Sequence, residues 1–159
     1  MLKRSPRHLP VFPATSGHSW YSIRNAAEGV QYIDVYGFIG VDPWTGEGVS
    51  AEQFAKELRA VKVSRIEVHI NSEGGAVFDG ISIYNALKQH KAAVTVYVDG
   101  VAASIASLIA MAGDEIHMAA NAFLMIHEPV DVVWGGAVDM RKTADALDKV
   151  RDKIAGTYA

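Results

Sequence analysis

The feature that most constrains this chain is a rhythm between residues 65 and 126, where β-rich apolar runs close on a glycine or loop and give way to helical-period stretches. Residues 65–70 feed the pair Gly74-Gly75, and Val77, Ile81, Tyr84 and Leu87 then recur at helical spacing. Residues 94–98 return to a strand pattern that ends at Gly100, followed by a small-residue helix over 101–112 and short strands over 115–118 and 123–126. Strand, helix and strand in this order predict βαβ units, whose parallel crossovers are right-handed. Upstream, residues 31–39 alternate as a strand, with Ile33 and Val35 on one face. Ser50 and Gln53 have the spacing of a capping box before a helix that carries Phe54, Leu58 and Val61. Downstream, Asp139 is placed to cap a last helix whose Met140, Ala144, Leu147, Val150, Ile154 and Tyr158 share one stripe. No later segment covers that stripe, so it asks for a partner.

A chain of 159 residues, half of them apolar, buries one core rather than two. Residues 1–17 are basic and broken by Pro6, Pro10 and Pro13, which reads as a flexible leader, with the domain over 18–159. The net charge is -3 with 21% charged residues of both signs, a balance that predicts neither a nucleic-acid partner nor an anionic membrane surface. The apolar stretch over 101–112 is too short to span a bilayer. With no cysteine, disulfides, thiolate metal sites and a cysteine nucleophile are all excluded, and a cytoplasmic setting is expected.

Three segments have the residue types that chemistry needs, each where a strand gives way. In Asn71-Ser72-Glu73-Gly74-Gly75-Ala76 the glycines allow a sharp turn that presents amide N–H groups at a helix start, a receptor for a developing oxyanion. In Asp99-Gly100-Val101-Ala102-Ala103-Ser104-Ile105 a serine stands among side chains too small to cover it, at the positive end of a helix dipole. Met125-Ile126-His127-Glu128-Pro129 ends an apolar strand on a histidine, the side chain whose ordinary pKa suits a general base. Each has a plain structural alternative: a tight βα turn, a helix-capping or packing serine, and a histidine that merely satisfies hydrogen bonds. Ser107, one turn into the helix, reads as packing. Among the other histidines, His8 and His18 lie in or beside the leader, His90 ends a helix, and His69 and His117 sit inside strands.

Taken jointly and in order, with Ser104 29 residues after Gly75 and His127 23 residues after Ser104, the segments resemble the Clp-type serine peptidase family. INSEGG stands against that family's INSPGG, with Glu73 in place of proline; GVAAS matches its serine turn and MIHEP its histidine strand. The FDGISIYNAL and DGVAASIASLIAMAGDEIHM segments and the PWTGEGVSAEQF lead-in resemble its phage and prophage branch, whose members process capsid or scaffold proteins. The resemblance implies a mixed α/β fold, ClpP/crotonase-like, of repeated β-β-α units with a mainly parallel sheet and a protruding C-terminal handle helix. It implies Ser104 as nucleophile, His127 as base, the N–H groups of Gly75 and Ile105 as oxyanion hole, and Gly74 beside the substrate. Residues 130–138, with Val132, Val133, Trp134 and Gly135, match the strand that lies along an extended protein substrate. The 139–158 helix matches the element that packs subunits into homo-oligomeric rings. No metal or organic cofactor is implied, and the activity is either ATP-independent or assisted by an ATPase.

The family's triad aspartate follows the histidine by roughly 40 to 50 residues, whereas this chain ends 32 residues after His127, so the domain is expected to be truncated before it. Asp145, Asp148 and Asp152 read instead as the solvated face of the last helix. Two other readings stay open: a crotonase-like acyl-CoA enzyme, which also builds an oxyanion hole on a glycine turn, and a catalytically weak subunit that keeps the fold for assembly.

Overall fold

The computed structural model describes residues 19–25, 29–42 and 45–159. The leader expected over 1–17 lies outside the described residues, as do Pro43 and Trp44 of the lead-in. Along the chain come β1 (Tyr21–Asn25), β2 (Val30–Ile39), α1 (Ala51–Ala60), β3 (Arg65–Gly75), α2 (Val77–Lys88), β4 (Ala93–Ala103), α3 (Ile105–Ala110), β5 (Glu115–Met118), β6 (Phe123–Met125) and α4 (Ala137–Ala155). The sheet runs β1-β2-β3-β4-β5, with β6 also paired to β4. Among the described strands only β1 is antiparallel to its neighbour. The mixed α/β fold with a mainly parallel sheet is therefore the one expected.

Alternation along the strands decides which face is core. Ile33, Val35, Ile66, Val68, Ile70, Val94, Val96 and Val98 are buried, and they pack with Phe54 and Leu58 of α1, Ile83 and Leu87 of α2, and Leu108 and Ile109 of α3. Each such side chain contributes about 1.5–3 kcal/mol on burial, so the βα units are held by their apolar face. The alternate positions carry polar and aromatic side chains: His69 stacks on Tyr97 with ring centroids 4.9 Å apart, and Tyr97 on His117 at 5.1 Å. The buried Asp34 carboxylate is satisfied by Ser22 and by both forks of Arg24, which fastens β1 to β2.

The long strands change course partway, and this gives the β-β-α repeat its physical form. The β2–β3 register shifts between Tyr36 and Phe38, and the β3–β4 register between Ile70 and Ser72. Beyond the shifts, Phe38 and Ile39 pair with Gly74 and Gly75, and Ser72 pairs with Ala102. β4 exchanges partners as well, pairing with β5 up to Val98 and with β6 from Val101 to Ala103. A second, shorter tier of strands thus stands at the C-terminal ends of the first.

Several local expectations are corrected. β3 runs through the glycine pair, and β4 passes Gly100 to reach Ala103, because both extensions find partners in the second tier. The helix expected over 101–112 shrinks to the six residues of α3 for the same reason. The Ser50–Gln53 capping box does not form; the Ala51 N–H at the start of α1 donates instead to Asp79 of α2, at 3.0 Å. Gly136, not Asp139, is the N-cap of α4, and the Asp139 carboxylate accepts the Gly136 N–H at 3.1 Å. The substrate-side strand expected over 130–138 is absent: no β-strand occurs between β6 and α4. No described strand pairs with that segment, and the Val132 N–H is taken by the carboxylate of Asp131 at 2.7 Å, a local bond that competes with ladder formation.

Candidate active site

The site is built in the second tier, where β4 hands over to α3. Ser104 stands between them with φ 53° and ψ -128°, and it is the one non-glycine residue with positive φ among the described residues. A backbone of that kind costs about 1–3 kcal/mol and persists only where its surroundings over-determine it. Here both peptide groups of the residue are held: the Ser104 N–H donates to the Met125 carbonyl of β6 at 2.9 Å, and its carbonyl accepts the Ser107 N–H at 3.0 Å. The Ser104 side chain is partly exposed. Its hydroxyl lies 2.8 Å from His127 Nε2, within hydrogen-bond distance, and Oγ is the donor whenever that nitrogen carries no proton. His127 is placed by β6, two residues beyond its end, and the same short strand thus holds the serine's backbone and delivers the histidine.

The glycine turn packs directly against this pair. Gly74 has φ +108°, and a Cβ there would stand 2.7 Å from the Ser104 Cβ and 3.3 Å from the Ile105 nitrogen, so only a bare backbone fits. At Gly75 an added Cβ would collide with the Ile39 carbonyl. Ile105 is the first residue of α3, where helix geometry leaves the N–H without an intrahelical acceptor. Gly74 and Ile105 thus lie beside the nucleophile candidate, with Gly75 next in the chain and packed on Ile39. Gly80 of α2 admits the Ile105 side chain in the same way, which sets α3 against α2.

Ser72 was missed in the sequence and organises the turn. Fully buried, its hydroxyl donates to the Gly37 carbonyl at 2.7 Å and accepts the Gly74 N–H at 3.0 Å, tying the β2 kink to the glycine pair. The available signal was a serine two residues ahead of a glycine needing positive φ, the spacing of a side-chain-to-backbone turn.

Of the expected substrate-side residues, Val132 and Trp134 are fully open to solvent and Val133 is half-buried, while Gly135 lies against the Asp139 side chain. A cleft of about 360 Å³ shares Gly75 with the turn and is walled mostly by apolar side chains, among them Phe38, Val77, Phe78, Val130 and Leu147, with Asp131 as its one charged residue. Among the described residues no carboxylate is hydrogen-bonded to His127, and none of Asp145, Asp148 and Asp152 reaches it. His69 offers the converse: its Nδ1 is 3.0 Å from Asp99, which also accepts the Tyr36 hydroxyl at 2.7 Å, but it has no hydrogen bond to a serine among the described residues. No group of side chains suited to a metal ion occurs among the described residues, and no described helix is long and apolar enough to cross a membrane.

Comparison with known proteins points to one family. A family model described as Clp protease matches residues 47–159. An ATP-dependent Clp protease proteolytic subunit of Leuconostoc citreum is 42% identical over 93 residues, covering 56% of this chain and 46% of the relative. A protein of the same description from Deinococcus radiodurans is 29% identical over 149 residues, covering 87% of this chain and 73% of the relative. Among solved structures, an asparagine-to-aspartate mutant of ClpP1 from Listeria monocytogenes superposes with a TM-score of 0.65 at 26% identity, covering 79% of this chain and 68% of that one. The chain therefore spans about half the length of the first of these relatives.

Proposed function

Because the chain belongs to the Clp protease family, we propose that it is a serine endopeptidase that cleaves protein substrates through an acyl-enzyme on Ser104. The observation that carries this reading is the 2.8 Å hydrogen bond from the strained Ser104 to His127. His127 Nε2 takes the hydroxyl proton as Oγ attacks the scissile carbonyl, and the N–H groups of Gly75 and Ile105 receive the oxyanion. The proton passes to the leaving amine, and a water activated by the same ring releases the acyl group. No metal or organic cofactor takes part in these steps. The apolar cleft beside Gly75 suits an apolar substrate side chain, with Gly74 and the segment from Val132 to Gly135 as the remaining substrate contacts.

Hydrolysis of a fluorogenic peptide tests the reading: turnover abolished by Ser104→Ala and by His127→Ala supports it, and turnover that survives Ser104→Ala overturns it. A crotonase-like acyl-CoA enzyme is disfavoured, because the reacting pair is a serine and a histidine rather than carboxylates. One observation favours a catalytically weak assembly subunit as a second reading, namely that His127 has no carboxylate partner among the described residues. Self-association through α4 into a ring belongs to the same proposal, as does a cytoplasmic setting. Processing of phage capsid or scaffold proteins is its finest level and rests on the motif resemblance alone; cleavage of a phage scaffold protein that Ser104→Ala prevents is the test.

A further inference from the structure

The nucleophile's carbonyl is reached by a second, unexpected donor chain. Ser107 is completely buried, and its Oγ lies 2.6 Å from the Ser104 carbonyl oxygen and 2.8 Å from the Tyr158 hydroxyl. A carbonyl only accepts, so the single Ser107 hydroxyl proton points at Ser104, and the Tyr158 phenol must donate to Ser107. The order is therefore Tyr158 O–H to Ser107 Oγ to Ser104 C=O, a run of three groups in which each bond polarises the next. Tyr158 lies three residues past the end of α4, half-buried and packed on the core with Ile154, whereas α4 itself contains no fully buried residue. This polar tether from the end of α4 into the interior thus finishes on the residue with the strained backbone.

We propose that Ser107 and Tyr158 are positioning residues that hold the Ser104 peptide in its left-handed conformation and couple the seating of α4 to the aim of the nucleophile. The proposal rests on the peptidase reading for its kinetic consequence, but the clamp itself is a property of the backbone. A serine at 107 in place of alanine has no packing advantage, since the hydroxyl requires partners once buried. Both of its partners are spent on this connection. Any contact that displaces the end of α4, including association with another copy, removes the Tyr158 donor and so weakens and loosens the Ser107 hydroxyl's bond to the Ser104 carbonyl, which then keeps only the Ser107 N–H as a firmly placed donor.

The experiment uses the whole chain and the isosteric variant Tyr158→Phe, with Ser107→Ala and the double variant completing a cycle. Ser104 reactivity is read as the maximal rate and the half-saturating concentration for phosphonylation by a fluorophosphonate; amide exchange at Ser104 and Ser107 and the Tm are read in parallel. We expect Tyr158→Phe to lower the maximal rate about fivefold with little change in the half-saturating concentration. Ser104 and Ser107 amide exchange should accelerate, and Tyr158→Phe should add nothing once Ser107 is alanine. If Ser107→Ala fails to fold, the rate split and exchange of Tyr158→Phe still decide. Unchanged labelling and exchange in Tyr158→Phe, or effects that add in the double variant, overturn the positioning role. A wild-type chain that is not labelled at all contradicts the peptidase reading instead, and amide exchange then tests the clamp without it.

Discussion

At the scale of single residues, the site is a set of positions where one atom more or less is decisive. Gly74→Ala would set a Cβ 2.7 Å from the Ser104 Cβ at φ +108°, so either the turn or the nucleophile must move. Peptide turnover should fall about a hundredfold, as for other small displacements of reacting groups, while the urea midpoint falls much less in proportion. Ser72→Ala leaves the Gly37 carbonyl and the Gly74 N–H without their shared partner, and stability should drop by about 1–3 kcal/mol in urea unfolding. The glycine pair, Ser104 and His127 were legible as candidates because their residue types, order and spacing coincide, and Ile105 only through the family resemblance. Ser72 and Tyr158 were not, since a serine in a turn and a tyrosine on an apolar stripe each have commoner uses, and only the fold shows which backbone they meet. Burial, with a smaller part from the nearby Glu57 carboxylate, pushes the Tyr21 phenol from 10.0 up to about 12. A folded-state value above the unfolded one means that this stabilisation is complete below pH 10 and lost as pH rises towards about 12. Unfolding midpoints measured across that window should decline, and less steeply in Tyr21→Phe; parallel slopes in the two proteins would argue against it.

At the scale of elements, periodicity located strands and helices well and their ends poorly. The β-rich runs look finished at Ile70 and Gly100 in the sequence, yet β3 and β4 run on to Gly75 and Ala103, because the second tier offers each a partner that no local pattern announces. The start of α1 teaches the same lesson with a sharper test. Ser50 occupies the N-cap position without a side-chain bond, and Asp79 supplies the acceptor from 28 residues away. Asp79→Ala should therefore cost about 1 kcal/mol in urea unfolding and Ser50→Ala only a few tenths. The reverse ranking would restore the capping box that the sequence suggested.

At the scale of the whole molecule, the described chain is well closed on one face of its sheet and open elsewhere. Phe78, Phe123, Val132 and Trp134 are among the large apolar side chains left in water, and α4 buries none of its residues. Such exposure suits a subunit that meets copies of itself. Charging the apolar stripe of α4 with Met140→Asp and Ala144→Asp, both exposed, should lower the sedimenting mass while the circular dichroism stays constant; an unchanged mass would argue against self-association through α4. His127 has no carboxylate partner among the described residues, so catalysis by the 159-residue chain should be slow. In other serine proteases, disabling that partner costs about 10⁴ in turnover. A covalent probe is therefore more telling than turnover. The most direct measurement is the site of fluorophosphonate attachment, read by peptide mass spectrometry on the intact wild-type chain and on His127→Ala. The account predicts a single adduct on Ser104 that His127→Ala suppresses. An adduct on Ser107 or another serine, or one on Ser104 indifferent to His127, would contradict it.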